Sequence, residues 1–194
     1  MPRNLEVKAR ITDQRWADVV RFLMFENPSS SVHQVDTLLI APEPNTWIHV
    51  REQRDIGTGK TSAKVIRCVR NEHATEYTSQ PIVEPDTADA MVERLNLPLI
   101  GRVEKRRIMF NINGTKIHFD DVCHLGKFIE IEVVLSPSGQ DILNTWCSAL
   151  AIKSGQLEKR SYVEMLRMRS SALVAQPPSE KNGDGSASSS SGVQ

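Results

Sequence analysis

The chain has 194 residues, with 24 Lys plus Arg balanced by 24 Asp plus Glu, so its formal net charge is zero. A 39% hydrophobic content supports a real core, while the even charge balance disfavours a protein that lives on phosphate-backbone contact. No apolar run approaches the roughly 18 residues of a membrane span, and the opening MPRNLEVKAR is too charged for a signal peptide. Neither nucleic acid nor membrane is therefore expected as a partner. Cys68, Cys123 and Cys147 are odd in number and far apart, with no CxxC spacing. They read as reduced thiols in a cytoplasmic protein.

In chain order, Leu5 to Ile11 alternates apolar and charged residues and predicts a strand. Asp13 to Phe25 predicts a helix, with Trp16, Val19, Val20, Leu23 and Met24 at helical spacing. Strands are predicted over Val35 to Ile40, Trp47 to Glu52 and Ser62 to Arg70. Asp86 to Leu95 reads as a capped helix. Val103 to Ile112 and Thr115 to Val122 read as two strands joined by Asn113-Gly114, a strong hairpin signal. A strand over Phe128 to Leu135, a helix over Ser138 to Ile152 and a short helix over Ser161 to Arg167 follow. The domain is expected to span residues 1–170. Residues 171–194 are expected to form a Ser/Gly/Pro-rich tail without the apolar surface to offset its ordering entropy. With seven or eight strands and short turns, the pattern points to an antiparallel α+β domain built as a barrel.

The last strand frames the functional question. Ile129, Ile131, Val133 and Leu135 share one face; Phe128, Glu130, Glu132 and Val134 share the other. The glutamates either face bulk water or line an interior. Other strands repeat the pattern. Glu6, Lys8 and Arg10 oppose an apolar face, Lys105 shares a face with Arg107, and Lys116, His118 and Asp120 share another. Closed into a barrel, such faces would line a tunnel. Clustered carboxylates suit Mg²⁺ or Mn²⁺, and Arg and Lys suit phosphate chains.

On these residues the chain resembles the CYTH family of triphosphate-tunnel proteins, and within it the class IV adenylate cyclase-like branch. The segments that carry the resemblance are RNLEVKARI, VEKRRIMF, KIHFDDVCHLGKFIEIEVVL and KRSYVEML, in that order. The resemblance implies an eight-stranded antiparallel β-barrel, a triphosphate tunnel, with helices packed outside. It implies Mg²⁺ or Mn²⁺ on Glu6, Asp120, Glu130 and Glu132. It also implies a triphosphate gripped by Lys8, Arg51, Arg70, Lys105 and Arg107, with Lys8 and Lys105 as the catalytic lysines. Asn4 stands where the E-x-E-x-K signature has its first glutamate, and His49 stands where many members are basic. Thr78-Ser79-Gln80-Pro81 lacks a carboxylate that many members carry, although Glu76 or Glu84 lies nearby. Lys127 stands where the family often has a small or acidic residue.

Other motifs carry less. Gly59-Lys60-Thr61 lacks the earlier glycine of a phosphate loop and reads as a hairpin tip. No histidine pair has HExxH spacing, and Cys123 and His124, as strand neighbours, would point apart. The function expected is a metal-dependent phosphohydrolase acting on a nucleoside or organic triphosphate. A class IV-type cyclase and a non-catalytic triphosphate- or polyphosphate-binding module are the alternatives. The partner is a triphosphate-containing small molecule, and the sequence leaves its identity and the oligomeric state open.

Overall fold

A computed structural model describes residues 4–23, 28–70, 75–83 and 86–174. Among these residues the chain forms eight strands, four α-helices and one short 3-10 turn. The strands are β1 (Asn4–Arg10), β2 (Ser30–Ile40), β3 (Thr46–Asp55), β4 (Thr61–Arg70), β5 (Thr75–Ile82), β6 (Leu99–Ile112), β7 (Thr115–Val122) and β8 (Gly126–Val134). The helices are α1 (Asp13–Leu23), α2 (Ala88–Leu95), α3 (Gly139–Ala149) and α4 (Tyr162–Val174). All strands join one antiparallel sheet in the order β1-β8-β7-β6-β2-β3-β4-β5.

The sheet is curled. Lys64 on β4 and Lys116 on β7 stand four places apart in that order, which in a flat sheet is about 19 Å. Lys116 nevertheless acts electrostatically on Lys64, so the two halves of the sheet face one another.

The pleat sorts the residues as the alternation requires. On the convex side Ile117, Phe119, Ile129, Ile131 and Val133 meet Val19 and Leu23 of α1 and Leu143 of α3. Phe119 sits edge-on between Trp16 and Phe110, and each such buried aromatic contributes roughly 1.5–3 kcal/mol. α2 covers Leu39 and Val50 through Ala88, Met91 and Val92. α4 is placed differently, because its first turn reaches the concave side. There Tyr162, Val163 and Met165 pack on Leu38, Val103, Val122, Leu125 and Phe128. Leu38 and Leu39, as strand neighbours, point to opposite faces and are buried under different helices.

The hairpin at Asn113-Gly114 forms as expected, with φ of 50° and 80°. These left-handed values are those a two-residue primed turn requires. Gly59 likewise turns the β3–β4 hairpin at φ 72°. β5 was not among the expected strands, because TEYTSQPI has no apolar alternation and contains Pro81. The proline is tolerated because β5 pairs only with β4 and forms the sheet edge. At the other edge, Leu157 bridges to Ala9 and the Glu158 N–H donates to the Lys8 carbonyl, covering β1.

Cys123 and His124 lie in the turn between β7 and β8, not in a strand, and His124 has φ 64°. α4 runs to Val174, beyond the expected end at Arg167. Residues 24–27, including the expected end of the first helix, lie outside the described residues, as do Glu84 and residues 175–194 of the expected tail. Among the described residues no helix is long and apolar enough to cross a membrane.

Candidate functional site

The concave face collects charge from seven adjacent strands. Cross-strand partners place Glu6 opposite Glu132 and Lys8 opposite Glu130. Lys116 lies opposite Glu132 and His118 opposite Glu130. Arg107 lies opposite Asp120, and Arg51 lies opposite both Asp36 and Lys64.

Asp120 is the centre of the array and is 0% exposed. Its Oδ1 accepts from Arg107 Nε at 2.6 Å. Its Oδ2 accepts from Lys105 Nζ at 2.9 Å and from the Tyr162 hydroxyl at 3.0 Å. Arg107 Nη2 donates to Asp120 Oδ2 and also to Glu130 Oε2. Lys8 Nζ lies 3.7 Å from the other oxygen of Glu130. Burial alone would raise both carboxyls. Arg107 and Lys105 outweigh it and hold Asp120 and Glu130 below the ordinary carboxylate range. Arg107 is correspondingly held in its charged form.

A second ion pair lies on β2 and β3. Arg51 donates to Asp36 through Nε at 2.6 Å and Nη2 at 3.0 Å, a bidentate fork. Gln34 Nε2 adds a bond to Asp36 Oδ2 at 2.7 Å. Beside them His49 Nε2 accepts from the Trp47 indole N–H at 2.7 Å. Burial pushes His49 down to about 4, against the pull of Asp36. The histidine at this departure from the family pattern is therefore uncharged at neutral pH.

Two parts of the trough place like charges side by side. The Glu6 side chain is exposed at the open end of the trough. The protein mass around it, followed by Glu130 and Glu132, pushes its carboxyl up to about 7. Lys8 and Arg107 oppose that rise. Lys64 shows the opposite case, since enclosure and then Arg51 hold its ammonium below the usual lysine range, Asp36 pulling the other way and Lys116 adding to the effect.

Among the residues the sequence pointed to, Glu6, Lys8, Lys105, Arg107, Asp120, Glu130 and Glu132 are brought together. Arg51 joins them through the neighbouring Asp36 pair. Arg70 stands apart, exposed at the end of β4 with its guanidinium 5.5 Å from the Trp47 ring. Lys127 faces away from the trough, 2.8 Å from Asp13 and over the Trp16 ring. Asp36, Lys64 and Tyr162 were not among the expected site residues. Asp36 had a signal, a lone carboxylate among Val35, Thr37, Leu38 and Leu39. Tyr162 lies inside the KRSYVEML segment but by its helical spacing reads as an ordinary apolar position.

The donor chemistry at the open end fits a hard divalent cation. Three carboxylates, Glu6, Glu130 and Glu132, crowd there. The buried Nδ1 of His118 has no hydrogen-bond partner and lies 3.8 Å from Glu130 and 3.7 Å from Glu132. As placed, these side chains do not converge on one point. Among the described residues no three His, Cys, Asp or Glu already form a set that could hold a metal ion. Asp120 is the most committed carboxylate, its oxygens accepting from Lys105, Arg107 and Tyr162, and Glu130 would have to share its oxygens with Arg107 and Lys8.

The fold is shared with solved structures of low sequence identity. PH1819 from Pyrococcus horikoshii OT3 superposes with a TM-score of 0.70 at 20% identity, covering 86% of this chain and 99% of that one. A candidate adenylate cyclase from Vibrio parahaemolyticus gives 0.61 at 17% identity, covering 85% and 98%. The candidate adenylyl cyclase HpAC1 from Hippeastrum, described with a dominant triphosphatase activity, gives 0.56 at 11% identity, covering 87% and 96%. No curated protein matches the chain. The CYTH domain profile matches residues 3–162, from the first strand through the sheet to the first residue of α4. The chain thus belongs to the CYTH domain family.

Proposed function

We propose that the chain is a divalent-metal-dependent triphosphatase acting on a nucleoside or organic triphosphate held in the trough. The observation that carries this reading is the placing of like charges side by side in one trough, Glu6 opposite Glu132 and Arg51 opposite Lys64. Glu6 is driven towards its neutral form by the protein mass around it and by Glu130 and Glu132. Lys64 is held down by enclosure, Arg51 and Lys116. A polyanion carrying a divalent cation relieves both at once. The kinship with HpAC1, itself described as a triphosphatase, supports the reaction class.

In this reading Glu6, Glu130 and Glu132 hold Mg²⁺ or Mn²⁺. The ion supplies charge neutralisation on phosphate oxygens and a water of lowered pKa. Lys8, Lys64, Lys105 and Arg51 bind the phosphate chain. Asp120 holds Lys105 and Arg107 in place through hydrogen bonds to both its oxygens, so little reorganisation is needed when phosphate arrives. The enclosing wall keeps bulk water from screening these charges. Arg70, at the rim, meets the outer part of the substrate.

A product-resolved screen of ATP, thiamine triphosphate and tripolyphosphate with each metal tests the proposal. Phosphate release is the expected product, and pyrophosphate with a cyclic nucleotide would assign cyclisation instead. No turnover with any of them overturns the enzyme reading. A binding module is the second reading. It is favoured by the absence, among the described residues, of an already gathered ligand set and by Asn4 in place of a carboxylate.

A further inference from the structure

Lys8 and Lys105 come from strands that do not touch. β1 and β6 are separated in the sheet by β8 and β7, so no backbone pairing fixes the distance between the two ammonium groups. One side chain meets both. The Tyr162 ring has Lys8 Nζ 4.5 Å and Lys105 Nζ 4.9 Å from its centroid. Its hydroxyl donates to Asp120 Oδ2, the oxygen that also accepts from Lys105.

The segment carrying Tyr162 is itself fixed. Lys8 Nζ donates to the Arg160 carbonyl at 3.1 Å, two residues before the tyrosine. Glu164 Oε2 accepts from the Ser161 N–H at 2.6 Å, while the Ser161 hydroxyl accepts from the Glu164 N–H at 3.3 Å. This reciprocal pair closes the first turn of α4. Phe128 meets the tyrosine ring edge-on at 5.0 Å, and Val163 and Met165 anchor the turn in the apolar end of the trough. A purely structural aromatic would need neither the ammonium contacts nor the bond to Asp120.

We infer that Tyr162 is a positioning residue, presenting Lys8 and Lys105 at a fixed separation to the phosphate chain. The ring attracts both cations through its face and the hydroxyl holds the carboxylate that orients one of them. This inference rests on the polyphosphate reading above. α4 thereby becomes part of the site through its first turn.

The test compares wild type with Tyr162→Leu, Tyr162→Phe and Leu143→Ala. The readouts are tripolyphosphate affinity by calorimetry, kcat and KM for phosphate release, and acylation rates of Lys8 and Lys105 by mass spectrometry. Tyr162→Leu is expected to weaken tripolyphosphate binding about tenfold and to lower kcat further, because lysine placement matters most in the transition state. Acylation of both lysines should rise in that variant. Tyr162→Phe keeps the ring and should recover to within about threefold of wild type. Leu143→Ala opens the separate core under α3 without touching α4 or a lysine, and should lower Tm while leaving affinity and kcat as they are. Tyr162→Leu binding within twofold of wild type, or a matching loss in Leu143→Ala, overturns the inference alone. A wild type that binds no tripolyphosphate ends the polyphosphate reading and this inference with it.

Discussion

Glu6 and Glu132 stand directly opposite one another in the β1–β8 ladder. Like charges so paired destabilise a sheet by up to about 1 kcal/mol. A fold that keeps such a pair retains it against its own stability, which is the pattern expected where a cation is to be bound. Glu6→Gln removes the repulsion but keeps the shape. It should raise Tm by a few degrees, roughly the effect of relieving one such pair, and abolish metal-stimulated turnover. A variant that is both less stable and equally active would refute the role given to Glu6.

The same residue sets a pH dependence. Its carboxyl stands at about 7, against an ordinary 4.5. Between these values the folded chain keeps a proton that the unfolded chain has lost. By linkage, this group's contribution to stability is complete below 4.5 and is lost as pH rises through 7. Metal-free wild type should therefore lose Tm across this window more steeply than Glu6→Gln. Mg²⁺ or Mn²⁺ competes with the proton, so metal affinity should rise over the same interval. Equal slopes in the two proteins, read by thermal melts at a series of pH values, would count against it.

Arg107 neutralises two buried carboxylates, Asp120 and Glu130. Arg107→Ala leaves both without their main cation, and breaking a buried pair in this way costs about 3–5 kcal/mol. Urea denaturation should show that loss. The variant is then a poor probe of catalysis, and a stability near wild type would mean that the centre is wetter than its burial indicates.

Lys64 offers the converse. Its ammonium is destabilised by enclosure and by Arg51 and Lys116, so Lys64→Ala should leave Tm unchanged or slightly higher. Tripolyphosphate affinity should fall by about tenfold, near 1.4 kcal/mol. Calorimetry on the metal-free protein separates the two effects. Unchanged affinity would remove Lys64 from the phosphate-binding set.

Strand alternation alone was enough to place Glu6, Lys8, Lys105, Arg107, Asp120, Glu130 and Glu132 on one side of their strands, because the side-chain period of two is local to each strand. The Asn113-Gly114 turn was equally legible, since its positive φ values restrict the residues that can stand there. β5 was not legible. Its polar sequence forms a strand only because the exposed backbone of β4 is beside it to pair with. Asp36 looked isolated in sequence, and Arg51, fifteen residues away, becomes its partner only when β2 and β3 pair.

The sequence by itself thus determined which residues share a face and the turns that reverse the chain. Both follow from backbone geometry over a few residues. Tertiary structure alone decided that these faces curl inward, that Arg70 lies at the rim, and that a tyrosine from the last helix stands between Lys8 and Lys105. Those outcomes depend on contacts between segments up to about 150 residues apart, such as Lys8 and Arg160. No local pattern encodes such contacts, because the groups that meet are fixed only by how sheet and helices pack.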